Sequence, residues 1–468
     1  MSKESEKLHI AVVGGGLVGA LNACYLAKRG FEVHVYDLRE DIRQLEHVPG
    51  RSINLAMSVR GSTALRGVGL EDAIVRDHGI PMESRMIHRP DGSTYAIPYG
   101  KKGQCIYSVG RRFLNEALIN AAEQYPNVHF HFHHKLVSAN LSKGQLTFEN
   151  LTSKETQETK TDLILGCDGA YSTVRKQMMK MPMFNYSQTY IPTVYMELCI
   201  PPDEKGNFKM PENHLHIWPR GQFMMIALPN QDKSWTVTLF MPQEIFDSLD
   251  TPSKLIDFFE IHYRDTIPLI GKEKLVKDFF ATKPSPMISV KCSPYHVGST
   301  CVIMGDASHA IVPFYGQGMN AGLEDCFIFN QLLDKHDNDL GKVLPEFSQF
   351  RNPDAEAICD LAMYNYIEMR DLVNHLSFRL RKKLDDGLHW LLPKRWVPLY
   401  TSVTFSRMRY HHCIQNKKWQ DEVVSNAVRT IGGLGILAAT YCLYTSWMPL
   451  KEVLKDYESL LGNMVGPV

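Results

Sequence analysis

Residues 14–19 read Gly-Gly-Gly-Leu-Val-Gly, between an apolar run, His9–Val13, and a helical pattern, Leu17–Arg29. That placement restricts the fold more than any other feature of the chain. Gly14, Gly16 and Gly19 stand where a strand must turn tightly into a helix, where a pyrophosphate must reach backbone N–H groups, and where the helix must pack close to the strand. Gly30 stops the helix, because glycine takes the left-handed cap position at little cost. Phe31–Tyr36 then reads as a second strand ending in Asp37, about 20 residues on, where an acid holds a ribose hydroxyl. Arg39 follows on the same loop, placed to face a phosphate or ribose. The opening is therefore βαβ, and the expected class is α/β. By itself the motif does not choose between a nicotinamide and a flavin dinucleotide.

Two later segments repeat the theme of a strand ending in a carboxylate ahead of a helix. Asp162–Cys167 ends at Asp168–Gly169, followed by Ala170-Tyr171-Ser172-Thr173-Val174-Arg175. Cys301–Met304 ends at Gly305–Asp306, and a loop with Pro313, Gly316 and Gly318 leads to a helical pattern from Met319. Loop glycines let a flat ring lie against bare backbone, and a helix N-terminus suits a nearby anion. No second complete Gly-x-Gly-x-x-Gly exists, since Gly67-Val68-Gly69 lacks the preceding strand and the third glycine. Arg111–Glu123 reads as a helix and Val128–Val137 as a strand. From Gln188 to Phe240, short alternating runs bounded by Pro and Gly predict an antiparallel sheet. After Pro345 the pattern is helical.

At 468 residues the chain exceeds one simple core, and two or three domains are expected. A formal net charge of zero gives no support for a nucleic-acid partner. The ten cysteines form no Cys-x-x-Cys pair, so zinc spacing is absent and free thiols are expected. His129, His131 and His133 share one face of a strand and His134 follows; with no acid or cysteine near them in sequence, the expectation is a solvated face and no metal. The first residues, MSKESEKLH, carry no secretory or matrix-targeting pattern. Thr430–Met448 has no charged residue and approaches the length of a membrane span, flanked by Arg429, Lys451 and Lys455 and holding Tyr444 and Trp447.

Three such segments in this order resemble the single-component FAD-dependent aromatic hydroxylases. More narrowly, Gly50–Ala56, Pro313–Asn320 and Met363–Arg370 resemble the branch of that family that hydroxylates kynurenine. The resemblance covers nearly all the chain. It implies a Rossmann-like FAD-binding domain with an inserted antiparallel β-sheet substrate domain, like p-hydroxybenzoate hydroxylase, and a helical C-terminal region ending in a transmembrane helix. The implied division is 1–84, 103–180 and 294–335 for FAD, 85–102 and 181–293 for substrate, 336–425 helical, 426–448 anchor and 449–468 tail. Hydroxylation of L-kynurenine would use NADPH and O2 and pass through a flavin hydroperoxide, with no protein nucleophile. A quinone or lipid substrate is the alternative. The mitochondrial outer membrane, a catalytic domain facing the cytosol, and a homodimer are further implications.

The resemblance also assigns residues. For FAD it implies Gly14, Gly16, Leu17, Val18 and Gly19; Asp37, Leu38, Arg39 and Glu40; Ala56, Met57, Arg111 and Leu136; Asp168 and Ser172; Asp306; and Gly318, Met319 and Asn320. For substrate it implies Arg85 and Tyr99 on the carboxylate, with Asn365 and Tyr400 as further contacts. Glu368 lies one helical turn from Asn365, near enough to join them. A guanidinium is the side chain that makes paired, charge-assisted bonds to a carboxylate. Leu215, Ile226, Phe240, Pro313 and Phe314 would wall the aryl ring.

Overall fold

The computed structural model describes residues 7–45, 54–100 and 103–431, with 434, 437, 438, 440 and 441. Gly50–Ile53 of the quoted motif, and 442–468 with part of the apolar segment, lie outside the described residues. The chain falls into two units, Met1–Cys413 and Ile414–Val468.

The first unit opens with β1 (His9–Val13), α1 (Leu17–Lys28), β2 (Glu32–Tyr36), β3 (Asn54–Met57) and α2 (Val59–Gly67). Next come β4 (Ile80–Met82), β5 (Ser84–His88), β6 (Thr94–Pro98), β7 (Ile106–Gly110) and α3 (Arg111–Glu123). They are followed by β8 (Val128–His131), β9 (His134–Asn140), β10 (Gln145–Asn150), β11 (Thr156–Lys160), β12 (Leu163–Gly166) and α4 (Thr173–Met178). β13 (Asn185–Ile200), β14 (His214–Arg220), β15 (Phe223–Pro229) and β16 (Trp235–Pro242) precede short helices between residues 243 and 281. β17 (Ser285–Ser293), β18 (His296–Val297) and β19 (Cys301–Ile303) lead to α5 (Gly318–Lys335), α6 (Leu340–Arg370), α7 (Leu376–Leu391) and α8 (Leu399–Thr404).

The first sheet has the order β18-β19-β12-β1-β2-β8, parallel except for the β18–β19 pair. Its central strands β12 and β19 are free of charged residues because both faces are covered, and every residue of the two is buried. One core packs Ile10, Val12, Val33, Leu163, Ile164, Val302 and Phe329 around this sheet. The carboxyl ends of β1, β2, β12 and β19 deliver Gly14, Asp37, Asp168 and Asp306 to one edge, where ligands of open α/β sheets bind.

The second sheet has the order β17-β13-β16-β15-β14-β5-β6. Its faces differ. Trp218, Met225, Val237, Leu239 and Leu198 point into a core with the helices of 243–281. The opposite face carries Arg85, Leu215, Ile226 and Phe240, since the register pairs Leu215 with Arg85, Ile217 with Ile226, Ile226 with Thr238, and Met224 with Phe240.

Several expectations need correction. The substrate-side sheet is mixed rather than antiparallel, because β5 pairs parallel with β14. β5 and β6 arrive as a hairpin from an earlier part of the chain, so no tight turn dictates their direction against β14. The single strand expected over Val128–Val137 is two strands, because His133 takes φ 57° and turns the chain. β8 then joins the parallel sheet, while β9 joins the three-stranded sheet β11-β10-β9. The last helical region starts before Pro345, and α6 contains both Pro345 and Pro353. Among the described residues no helix is long and apolar enough to cross a membrane, so the span expected over 426–448 is not met by them. The described part of that segment is helical, with exposed Ile431, Leu434 and Leu437.

Candidate active site

The first part of the site is backbone. Gly14 has φ 103°, and a Cβ there would lie 2.5 Å from the Cys167 carbonyl oxygen. A Cβ on Gly19 would lie 1.9 Å from the Gly14 carbonyl oxygen, so only glycine lets α1 sit this close to β1. Gly16 is the N-cap of α1, with no side-chain cap and no acid in the first turn. Free N–H groups and the helix dipole are thus left for an anion. Asp37 closes the β2 end, where Oδ2 accepts the Gly15 N–H at 2.8 Å. Arg39 grips the same carboxylate through Nε at 2.9 Å and Nη2 at 2.7 Å. Burial raises the Asp37 pKa, but Arg39 and the two N–H bonds outweigh it and hold the carboxyl below its ordinary value.

The second part is the loop opened by β19. Asp306 is exposed, and its Oδ1 lies 4.0 Å from the position of a Cβ on Gly318, at the start of α5. Helix α5 also begins with neither a side-chain cap nor a first-turn acid. Gly316, at φ 62°, lies against Ala56, whose Cβ would be 3.3 Å from one on the glycine. Asn320 holds these pieces together. Its Nδ2 donates to the Ala56 and Gly316 carbonyls at 2.8 and 2.7 Å, and its Oδ1 accepts the Ser58 N–H at 2.8 Å.

Behind this loop lies a charge network that sequence reasoning missed. Asp325 Oδ2 accepts the Gly305 N–H at 2.9 Å and lies 2.7 Å from His309 Nε2, while its Oδ1 accepts from Arg351 Nε at 2.8 Å. Glu324 accepts from Arg60 at 2.9 Å and from Arg351 at 3.4 Å. Burial raises the Asp325 pKa, and His309, Arg351 and the Gly305 N–H more than reverse the effect. The Leu-Glu-Asp run at 323–325 was the available signal: two acids adjoin an apolar residue early in a buried helix.

The third part is a side-chain pocket between the second sheet, α6 and α8. Arg85 is buried; Nη1 donates to Glu368 Oε1 at 2.8 Å and Nη2 to Asn365 Oδ1 at 3.5 Å. Its guanidinium carbon lies 4.3 Å from the Tyr400 ring centroid. Tyr99 stacks on Tyr400 at 5.2 Å, and Tyr315 stacks on the same ring at 5.6 Å. Arg85 Nε has no hydrogen-bond partner, and the Tyr99 hydroxyl makes no bond of normal geometry although it faces Tyr400 and Arg85. Asn365 Nδ2 donates to the Phe314 carbonyl at 2.7 Å. Phe314 stacks on Tyr366 at 3.9 Å and meets Phe240 at 5.1 Å. These contacts join Arg85, Tyr99, Asn365, Glu368, Tyr400, Phe240 and Phe314, and Leu215 and Ile226 share the sheet face of Arg85 and Phe240. Tyr315 and Tyr366 belong with them and lie inside the quoted motifs, where nothing in their spacing set them apart. Pro313 is exposed at the start of the same turn.

Other assigned residues have structural work. Asp168 Oδ2 caps α4 through the Thr173 and Val174 N–H groups, while its buried Oδ1 has no partner. Burial raises its pKa more than these bonds lower it. Ser172, fully buried, accepts the Arg175 N–H as N-cap of α4. Met57 is fully buried beside Gly61, and Leu136 is buried in the core of the first sheet. Leu17, Val18, Met319 and Arg111 are half-buried, and Leu38, Arg39 and Glu40 form an exposed turn after β2.

The backbone cradle at Gly14–Gly19, the free carboxylate of Asp306 and the uncapped start of α5 fit a flavin adenine dinucleotide. They supply anion-binding N–H groups for a pyrophosphate, an acceptor for a polyol chain and a glycine-lined helix start for a flat ring. Comparisons with known proteins agree. The family described as FAD binding domain matches residues 7–360. Kynurenine 3-monooxygenase of Anopheles gambiae is 58% identical over 440 residues, 92% of this chain and 90% of the relative. That of Sus scrofa is 54% identical over 442 residues, 94% of this chain and 93% of the relative. Among solved structures, 2-methyl-3-hydroxypyridine-5-carboxylic acid oxygenase aligns with a TM-score of 0.63 at 19% identity, over 78% of this chain and 94% of that one. p-Nitrophenol 4-monooxygenase from Pseudomonas putida aligns with a TM-score of 0.62 at 18% identity, over 82% and 94%. These two establish the fold alone, whereas the curated relatives establish the narrower grouping: the chain belongs to the kynurenine 3-monooxygenase family of FAD-dependent monooxygenases.

Proposed function

We propose that this chain hydroxylates the aromatic ring of L-kynurenine at the 3-position, using FAD, NADPH and O2. The observation that carries the substrate assignment is the pair of buried groups without a normal hydrogen bond, Arg85 Nε and the Tyr99 hydroxyl, in a pocket with one apolar wall. An unmet buried donor costs about 1–3 kcal/mol; others lie at Arg175, Trp235 and Tyr263, so it is the meeting of Arg85 and Tyr99 on the Tyr400 ring beside an apolar wall that suits a ligand. An α-amino acid carboxylate is such a ligand.

The chemistry supplied by bound FAD is acceptance of electrons from NADPH and insertion of one atom of O2 into the ring. The chain's residues position, orient and dry the reaction. Gly14–Gly19 and the start of α1 hold the pyrophosphate, with Leu17 and Val18 beside it. Asp37 would take a ribose hydroxyl in competition with Arg39, and Asp306 would take the ribityl hydroxyls. Gly318, Met319 and Asn320 would set backbone beside the isoalloxazine, and N–H groups at the start of α5 would favour negative charge there. Arg85 and Tyr99 bind the substrate carboxylate. Glu368 would meet the ammonium group, with Asn365 and Tyr400 closing the polar end. Leu215, Ile226, Phe240, Pro313 and Phe314 pack the aryl ring and exclude water. The first sheet is read as the FAD-binding domain and the second as the substrate domain.

The test is oxygen uptake and NADPH oxidation by the purified yellow protein. L-Kynurenine should stimulate both, and a quinone neither. Stimulation by a quinone alone would move the assignment to the quinone- or lipid-oxidising alternative.

A membrane surface is the proposed location, with the mitochondrial outer membrane suggested by the family. Helix α7 supports this reading: Leu376, Leu380, Leu384 and Leu391 form one exposed apolar stripe, with Arg379, Lys382 and Lys383 between them. The charge-free Thr430–Met448 adds a second apolar element. A chain ending at Asn426 should keep its flavin and bind membranes more weakly than the full chain.

A further inference from the structure

We infer that the β2–β8 edge of the first sheet holds a divalent cation of the zinc class through Glu32, His34 and His129. In sequence the histidines of 129–134 have no acid beside them, but the parallel register changes their company. It pairs His34 with His129 and Tyr36 with His131, so Glu32, His34, His129 and His131 share one face. One donor atom from each of Glu32, His34 and His129 lies within 4.8 Å of the others. Glu32 Oε1 is 2.8 Å from His129 Nε2 and 3.8 Å from His34 Nε2. A tetrahedral ion with ligands at about 2.0–2.1 Å needs donors about 3.3 Å apart, which falls between these two distances. Two imidazoles and one carboxylate form a donor set suited to Zn2+, with a fourth position open to water.

The surrounding side chains favour the ligating form. The other ring nitrogen of His34, Nδ1, lies 3.0 Å from His131 Nε2. If His34 Nδ1–H donates to His131, the lone pair of His34 Nε2 faces Glu32 and His129, an outer hydrogen bond of the kind that orients metal-bound histidines. Tyr36 stacks on His131 at 4.6 Å and on Phe148 at 4.0 Å, which fixes the ring ladder. β8 is an edge strand of four residues paired only with β2 in this sheet. An ion held by one strand's Glu32 and His34 and the other's His129 would clip that edge in place.

The experiment uses the flavin-loaded full chain, stripped with a chelator and titrated with Zn2+ by calorimetry and with Co2+ by absorbance at wavelengths longer than the flavin band. The expected result is one tight equivalent per chain, with tetrahedral Co2+ bands. Glu32→Gln, His34→Gln and His129→Gln should each weaken binding at least about tenfold, and His131→Phe about 10–100-fold. His78→Gln, at an exposed histidine elsewhere, should leave it unchanged. Zn2+ should also raise the melting temperature of the parent and not of the His34→Gln/His129→Gln chain, whose melt without metal shows that it folds. No tight equivalent in the parent, or equal affinity in the parent and the three ligand variants, would overturn the inference.

Discussion

Arg85 and Arg351 are both buried guanidiniums beside acids, with side-chain exposures of 7% and 2%, yet they are partnered in opposite ways. Arg351 is saturated: Nε reaches Asp325, Nη1 reaches Glu324 and Asp354, and Nη2 reaches the Ala321 carbonyl. Arg85 reaches Glu368 and Asn365, and keeps Nε unpartnered beside a Tyr99 hydroxyl that makes no bond of normal geometry. A saturated buried arginine is part of the frame, and here it braces Asp325, the acceptor of the Gly305 N–H ahead of Asp306. Arg175 is buried with an unpartnered Nε as well, so what marks Arg85 is that its open Nε belongs to a guanidinium lying over Tyr400, on which Tyr99 stacks.

The largest expected effect breaks the frame. Arg351→Leu strands Asp325 and Glu324 in the interior, and losing one partner of a buried pair costs about 3–5 kcal/mol. Denaturant unfolding should show that loss, and flavin fluorescence should show premature release. Next is Arg85→Ala, which leaves Glu368 without its partner but at a site more open than that of Asp325, so it should cost less stability than Arg351→Leu and lower kcat/KM for kynurenine by about 10–150-fold, the equivalent of a charged hydrogen bond of about 1.5–3 kcal/mol. Steady-state rates with a parallel melting curve separate these two arginines. Tyr99→Phe sharpens the contrast. It removes a donor with no bond of normal geometry, so stability should hold or rise slightly, while KM rises by a few-fold for the loss of about 0.5–1.5 kcal/mol.

The smallest effect is acid sensitivity. His131, among His34, His129 and His134, has a folded pKa of about 4, below the ordinary 6.5 of histidine. The unfolded chain therefore binds a proton in that window that the folded chain refuses. Stability should fall as pH drops from about 6.5 towards about 4. His131→Phe should flatten that slope in pH-dependent melting curves.

The cradle was legible in the sequence and the pocket was not, and the reason is physical. Gly14, Gly16 and Gly19 act through backbone, and with the Asp37 carboxylate they lie within one βαβ unit, so their spacing alone carries the geometry. Arg85, Tyr99, Asn365 and Tyr400 come from separate elements, joined only when β5 pairs with β14 and α6 crosses the sheet. No local pattern announces that meeting; the resemblance supplied it. Tyr315 and Tyr366 went unassigned although they lay inside the quoted motifs. Asn320, Ser172 and Asp168 were read as cofactor contacts, and what their side chains carry in the structure is caps and loop ties. The parallel partner of β5 and the break at His133 were illegible because both depend on pairing between distant segments. The same blindness hid Glu32 and His34 from the histidines of β8.

The most direct test of the central claim is a cycle that crosses Arg85→Ala with removal of the substrate carboxylate. Binding of L-kynurenine and of its decarboxylated amine would be measured by flavin spectral change in the parent and the variant. Arg85→Ala should weaken L-kynurenine by about 10-fold or more and leave the decarboxylated amine unchanged, because the guanidinium then has no carboxylate to lose. Equal weakening of both ligands, or of neither, would contradict the assignment of Arg85 to the carboxylate.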